Sequence, residues 1–325
     1  MIIVTGGAGF IGSAIVWRLN QLGKNNIIIV DELGKDEKWK NLVALDYNDY
    51  HDKTAFIERV EKNSITFKID AIIHMGANSA TTEKDADHLM SNNYAYTKKL
   101  ALFAENTGAR FIYASSAATY GNGIKGFADS DEDCLKLRPL NMYGYSKNLF
   151  DITALKKGWL KKIVGLKYFN VFGPNEYHKN DMRSVVHKAF EQVRDSGKVK
   201  LFNSHRPEFG AGEQKRDFVY VKDVVDMTLF FIDNPDKNGL YNIGSGKARA
   251  WNDLVTALFN AVNKPVNIEY IDMPRYLREK YQYFTEANLT KLRKAGYTKE
   301  TSSLEAGIND YVQSYLLKGL YLGDE

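Results

Sequence analysis

Cysteine is almost missing from this chain: Cys134 is the only one in 325 residues. That excludes an internal disulfide and any small fold stapled by several of them. Prolines number six, and no repeat or low-complexity linker breaks the chain. No apolar run approaches the roughly 20 residues that span a bilayer, so no membrane partner is expected. An excess of one charge is lacking too, since 44 Lys and Arg meet 40 Asp and Glu for a net +4 spread along the sequence. Without a basic block, the reading is a mixed solvated surface that binds no nucleic acid. No metal-ligand constellation stands out. The start, Met1-Ile2-Ile3-Val4-Thr5, has no basic leader before a glycine cluster, which together with the lone thiol leads us to expect a cytoplasmic location.

What is present is a sizeable apolar fraction, 44%, enough for one large domain or two coupled ones. Short apolar runs at Ile2–Thr5, Ile27–Asp31, Leu42–Leu45, Ala71–Met75, Arg110–Ser116 and Ile163–Tyr168 read as buried strands. Segments of helical period start near Ile11, Lys53, Ser91 and Tyr143. This alternation predicts an α/β fold with a doubly wound parallel (Rossmann) sheet covered on both faces. After Gly173-Pro174 the pattern changes: a helix over Met182–Asp195, a polar loop from Asn203 to Gln214, a strand-helix unit at Asp217–Ile232 and a strand at Leu240–Ile243. We therefore expect a dinucleotide-binding domain over 1–173, with 217–245 returning to it, and a smaller α/β substrate-binding lobe over 174–325.

Thr5-Gly6-Gly7-Ala8-Gly9-Phe10-Ile11-Gly12 follows the first expected strand and opens the first helix. In such a cradle Gly6 permits the tight turn, Gly9 the approach of a pyrophosphate, and Gly12 close helix–strand packing. The helix start adds unpaired N–H groups and a positive dipole end. A P-loop is excluded because no Gly-Lys-Ser/Thr follows. Asp31 lies about 20 residues beyond the cradle, where an acid binds the adenosine ribose. Asp31 and Glu32 alone favour NAD; Lys35, Lys38, Lys40 and Lys53 pull toward NADP if any folds over that site.

Tyr143-Gly144-Tyr145-Ser146-Lys147 sets a phenol and an ammonium four residues apart, on one helix face. The ammonium is expected to lower the phenol's pKa and make Tyr143 a general base for an alcohol proton. Chance pairs at this spacing are common. Ser115-Ser116 at the end of the preceding strand adds weight, because a ligand would sit there.

These features resemble the extended short-chain dehydrogenase/reductase superfamily, with its NAD-dependent epimerases and dehydratases. More narrowly, the chain is similar to the nucleotide-sugar epimerases of that group that act on ADP-activated heptose. The similar stretches are Ser79-Ala80-Thr81-Thr82-Glu83, Tyr113-Ala114-Ser115-Ser116-Ala117-Ala118-Thr119-Tyr120-Gly121, Tyr168-Phe169-Asn170-Val171-Phe172-Gly173-Pro174 with His178-Lys179, Lys215-Arg216-Asp217-Phe218-Val219-Tyr220-Val221, and Tyr281-Gln282 leading to Ala295-Gly296-Tyr297. They cover most of the chain to about Leu317.

The resemblance implies an isomerase of lipopolysaccharide precursor synthesis that inverts C6″ of ADP-D-glycero-β-D-manno-heptose with bound NADP, NAD being the other option. It also implies a homo-oligomer. Tyr143 would be the base, Lys147 its helper, Ser116 the hydroxyl partner and Lys179 a second acid/base group. Cofactor contacts would come from Gly6, Gly9, Phe10, Ile11, Gly12, Asp31, Glu32, Lys38, Lys53, Met75, Gly76, Ala77, Asn78, Ser79, Asn92, Lys147 and Val171. Substrate contacts would come from Ser116, Asn170, Lys179, Asp181, Lys188, Phe202, Arg216 and Tyr281, with Arg216 suited to the diphosphate.

The chain departs from the family pattern at Glu32, Met75, Asp181 and Lys188, and in the longer loop Glu208–Gln214. A hexose 4-epimerase or a dehydratase is the alternative within the superfamily, although Ala117-Ala118 after Ser116 lacks the acid a dehydratase uses. A non-catalytic cofactor sensor on the same fold is the alternative outside enzymes, and the intact Tyr/Lys pair argues against it.

Overall fold

The computed structural model describes residues 1–278 and 281–324. Its strands in chain order are β1 (Ile2–Thr5), β2 (Ile27–Asp31), β3 (Asp49–Asp52), β4 (Ala71–His74), β5 (Arg110–Ser116), β6 (Val164–Tyr168), β7 (Asn170–Phe172), β8 (Val199–Phe202), β9 (Lys215–Tyr220), β10 (Gly239–Ile243), β11 (Ala248–Ala250) and β12 (Ile268–Ile271). Seven of them form one sheet in the order β10-β6-β5-β4-β1-β2-β3, and every neighbouring pair is parallel. The order reverses between β1 and β4. In a doubly wound sheet that is where a crevice opens beyond the strand ends.

Both faces of this sheet are covered, so its strands read as continuous apolar runs. Ile3, Ile28, Ile72 and Phe111 pack on one side with Phe56, Leu100 and Phe150 from the helices Lys53–Glu61, Tyr96–Thr107 and Met142–Lys156. Val4, Ile27, Ile29 and Ile73 pack on the other with Ala14, Ile15 and Leu19 of the helix Phe10–Gln21 and with Val221, Val225 and Leu229 of the helix Val221–Asp233. Alternate residues of a strand point to opposite faces, so Ile3 and Val4 belong to different cores.

One expected strand is wrong. Leu42 ends a short 3-10 helix, Glu37–Leu42, and the sheet strand that follows β2 is β3, with the sequence Asp49-Tyr50-His51-Asp52. The reason is position: β3 is the edge of the sheet, half exposed, and needs no apolar run. Leu42 and Leu45 instead pack against the first-helix core. Within 217–245, the helix Val221–Asp233 and β10 lie on the main sheet, whereas β9 pairs with β7 and β11 in a separate three-stranded sheet. β8 and β12 form a third, two-stranded sheet. The helix expected over Met182–Asp195 runs Val185–Ser196, with Ser184 as its cap accepting from the His187 N–H. Among the described residues no helix is long and apolar enough to cross a membrane.

Candidate active site

The turn after β1 brings the first functional backbone into place. Gly6 adopts φ +65°, a left-handed conformation that L side chains rarely take. A Cβ there would also lie 2.5 Å from the Gly76 nitrogen after β4. Two backbones therefore meet at the point where the sheet order reverses. The Ala8 N–H donates to the Asp31 Oδ2 at 2.9 Å, tying the cradle to the end of β2.

A cavity of about 460 Å³ opens over this point. Gly6, Gly9, Phe10, Ile11, Gly12, Asp31, Lys38, Met75, Gly76, Ala77, Ser79, Ser116, Tyr143, Lys147, Asn170, Val171 and Lys179 line it. A second cavity, about 240 Å³, is bordered by Gly6, Asp31, Glu32, Lys38, Lys53, Gly76, Ala77, Asn78 and Asn92. Gly6, Asp31, Lys38, Gly76 and Ala77 border both. Every cofactor contact that the resemblance implies thus borders one cavity or the other, whereas Lys35 and Lys40 border neither. The shape fits a dinucleotide: a glycine turn free of Cβ atoms, a helix start aimed at it, and an acid at the end of β2.

The charges at the second cavity are paired. Lys38 Nζ lies 2.9 Å from Asp31 Oδ1 and donates to the Glu32 carbonyl at 2.7 Å. Lys53 forms an ion pair with Glu32 and donates to Asn92 Oδ1 at 3.2 Å. Asn92 sits in a π-turn, Met90–Ala95, that leads into the next helix; such turns are frequent at functional sites.

At the other end, Ser116 closes β5 and is nearly buried, its hydroxyl accepting from the Ala118 N–H at 3.1 Å. Its neighbour Ser115 donates instead to Asp151 at 2.7 Å. Asp151 also receives Tyr113 at 2.8 Å and the Lys167 ammonium at 2.6 Å, a fully buried cluster beneath the strand end. The helix that carries Tyr143 and Lys147 starts at Asn141, whose side chain accepts from the Gly144 N–H at 2.8 Å. A Cβ on Gly144 would lie 2.7 Å from the Ala118 carbonyl, so glycine lets this helix abut the strand-end turn and brings Tyr143 to Ser116.

The expected ionisation of Tyr143 needs correction. Burial pushes its pKa up, and a hydrogen bond with Ser116 pulls the other way. The Lys147 ammonium donates to the Ala114 carbonyl at 2.9 Å, and burial lowers its pKa to about 8, with Asp151 opposing. Desolvation outweighs the pairing on which the sequence argument rested. Lys179 arrives from a different element, the 3-10 segment Tyr177–Met182 after β7, and its Nζ lies 5.5 Å from the Phe10 ring centre. Burial lowers its pKa, with Glu176 opposing.

The remaining candidates are placed less uniformly. Arg216 lies over the rings of Tyr281 at 5.1 Å and Trp251 at 5.8 Å, and burial lowers its pKa. Trp251 Nε1 donates to the Tyr281 hydroxyl at 2.9 Å, and Phe202 meets Tyr281 edge-on with ring centres 6.4 Å apart. This group touches the large cavity through Trp251, one of its lining residues. Asp181 is exposed, and neither it nor Lys188 is among the lining residues. Sequence reasoning missed Trp251, Phe218, Leu254 and Met182 in the wall. Phe218 stood in a family-like stretch without a role, while Trp251, Leu254 and Met182 carry no motif, and only the packing of the second half against the first reveals them. His178 stood beside Lys179 without a role, yet it lines the wall as well. Among the described residues no group of three His, Cys, Asp or Glu is placed to hold a metal ion.

Residues 2–244 match the NAD dependent epimerase/dehydratase family. The chain is 55% identical over 316 residues, 97% of its length and 98% of the relative's, to the ADP-L-glycero-D-manno-heptose-6-epimerase of Nitratidesulfovibrio vulgaris (strain DP4). It is 52% identical to the protein of the same description from Fusobacterium nucleatum, with 98% of each chain covered. The crystal structure of the Helicobacter pylori ADP-L-glycero-D-manno-heptose-6-epimerase is similar with a TM-score of 0.81 and 30% identity, covering 96% of this chain and 95% of that one.

Proposed function

This chain belongs to the NAD dependent epimerase/dehydratase family, and from that premise we infer that it converts ADP-D-glycero-β-D-manno-heptose into its L-glycero epimer at C6″. It is a nucleotide-sugar epimerase, an isomerase that uses a nicotinamide cofactor and serves lipopolysaccharide precursor synthesis. The observation that carries the finer reading is the convergence on one cavity of two proton-transfer groups from separate elements, Tyr143 and Lys179.

Gly6, Gly9, Gly12 and Asp31 would hold a nicotinamide dinucleotide along the glycine turn, and it would supply reversible hydride chemistry at the carbinol carbon. The protein's own groups manage the oxygen. Tyr143 accepts the hydroxyl proton in one orientation, its phenolate favoured by the Ser116 hydrogen bond against the cost of burial, with Lys147 beside it as the helper. Ser116 holds the same oxygen by its hydroxyl. After the carbonyl group turns, the oxygen lies elsewhere, and Lys179 serves it there. Arg216, braced by two aromatic rings, takes the diphosphate. Asn170, Phe202 and Tyr281 contact the rest of the nucleotide-sugar, whereas Asp181 and Lys188, which lie outside the cavity wall, take no part in holding it.

The cofactor we assign is NADP, with Lys38 and Lys53 at the 2′-phosphate; their position at the smaller cavity supports this. The protein works as a homo-oligomer in the cytoplasm. The test is direct: incubate the protein with ADP-D-glycero-β-D-manno-heptose in heavy water, separate the epimers, and weigh the product. Epimerisation without deuterium at C6″ is expected. Turnover of UDP-hexoses but not of the ADP-heptose would replace the substrate, and solvent deuterium at each turnover would replace the mechanism.

A further inference from the structure

Lys179 has to reach the cavity from a loop, and loops are the least rigid way to hold a reacting group. The segment from Pro174 to Arg183 is nevertheless heavily constrained. Two non-glycine residues in it adopt left-handed conformations, Asn175 at φ +75° and Asn180 at φ +46°. Such backbone persists only where surrounding contacts over-determine it.

Around Asn175 those contacts are on all sides, and the residue is fully buried. Its Nδ2 donates to the Ser13 hydroxyl at 3.0 Å, on the helix that leaves the glycine turn. Its carbonyl accepts from Asn41 Nδ2 at 3.0 Å. The same Asn41 amide donates to the Ala8 carbonyl inside the turn at 2.9 Å and contacts His178 Nδ1 at 3.3 Å. From behind, the Leu322 N–H donates to Asn175 Oδ1 at 2.8 Å. Two residues on, the Tyr177 hydroxyl donates to the Leu320 carbonyl at 3.1 Å, and its ring meets Tyr321 at 4.9 Å. Leu322 is itself buried. The far end of the loop is tied separately, where Glu176 accepts from the Ser184 hydroxyl at 2.6 Å.

We propose that Asn175, gripped between the glycine turn and the segment Leu320–Leu322, is a positioning residue that sets where the Lys179 amine stands relative to the bound dinucleotide. This deepens the reading of Lys179 as the second acid/base group and rests on it. The segment 320–322 touches neither cavity, so its part in the reaction is exerted through the loop alone. Nothing in the sequence motifs marks it.

The experiment uses the full-length holoenzyme and the variants Asn175→Gly and Tyr177→Phe, each alone and combined with Lys179→Met. Glycine keeps the left-handed backbone without strain and removes both side-chain bonds; Tyr177→Phe cuts only the tie to Leu320. In Asn175→Gly we expect kcat to fall roughly 10- to 100-fold, the scale on which a misplacement of about 1 Å costs rate. KM and dinucleotide content stay unchanged, and Tyr177→Phe shows a smaller loss of the same kind. In the Lys179→Met background neither substitution has further effect, because pairs that act through one group are not additive. Acylation of Lys179 by an amine reagent, mapped by peptide mass spectrometry, should quicken in Asn175→Gly. Unchanged labelling overturns the proposal whatever Lys179 does in catalysis. So does a rate loss that persists in full on top of Lys179→Met, or one that comes with lost dinucleotide. Full activity in Lys179→Met alone overturns instead the reading of Lys179, and the labelling then still decides whether Asn175 holds it.

Discussion

Tyr143 meets surroundings that oppose its ionisation, because burial raises its pKa and Ser116 offsets only part of this. A phenol in that position works as a base only when its hydrogen-bond partners and a cation are set around it, so its contribution is large once they are. Tyr143→Phe should cut turnover by at least ~10²-fold, the low end for a lost general base. A steady-state assay on folded protein checks it, and near-normal turnover would remove Tyr143 from the mechanism. Lys179→Met should be similarly damaging while leaving bound dinucleotide in place, as chromatography of the denatured supernatant would read. Glu32 offers a prediction of opposite sign. It holds Lys53 in an ion pair at the smaller cavity, and a carboxylate there repels a 2′-phosphate. Glu32→Gln should raise the affinity for NADP relative to NAD, measured by calorimetric titration of cofactor-stripped protein. An unchanged ratio would mean that Lys53 does not reach that phosphate.

Single elements show why some assignments were legible in the sequence and others were not. The Gly6 turn announces itself because only glycine tolerates φ +65° beside the Gly76 backbone. Gly6→Ala should therefore cost both the left-handed strain of about 1–2 kcal/mol and the approach of two strands' ends. The expected result is a lower Tm and a purified protein depleted of dinucleotide; full dinucleotide content would show that the turn can relax. β3 gives no such signal. Its polar sequence suits an exposed edge, while in the apolar stretch that mimics a strand Leu42 and Leu45 turn into the core beside it and Val43 is left exposed. The 3-10 segment that presents Lys179 has no periodicity at all, and its course depends on Asn41, Ser13 and Leu322 from distant parts of the chain.

Across the molecule, two buried histidines and a half-buried one are kept neutral. Burial lowers His74 to about 3, His178 to about 4 and His187 to about 4. In the unfolded chain each takes a proton near pH 6.5. Their contribution is thus fully present above about 6.5 and is lost as pH falls toward 4. Buried acids work in the opposite sense: Asp217 is raised to about 6, and Glu176 is raised as well, so each favours folding more as pH falls past its raised value. The net slope mixes the two, but a single histidine can be isolated. His187 shares a hydrogen bond of 2.9 Å with Tyr311, and His187→Gln should lower Tm at neutral pH. The gap to the unsubstituted protein should narrow as pH drops from about 6.5 to about 4, because only the latter has an imidazole at position 187 to protonate on unfolding. Calorimetric scans across that range check it, and a constant gap would mean His187 does not contribute through its charge state.

The sequence by itself determined the layered α/β class, the cradle and the Tyr143/Lys147 pair. Each of these is local: a strand's apolar run, a glycine where no Cβ fits, two side chains one helical turn apart. It also placed Ser116, because a strand end in a parallel sheet is where ligands sit. Tertiary structure decided the rest. It alone paired Lys38 with Asp31 and Lys53 with Glu32, raised Tyr143 where proximity to Lys147 suggested lowering, and set Trp251 in the wall beside Arg216 and Tyr281. Desolvation and ion pairing depend on everything that surrounds a group, and most of those neighbours are far away along the chain.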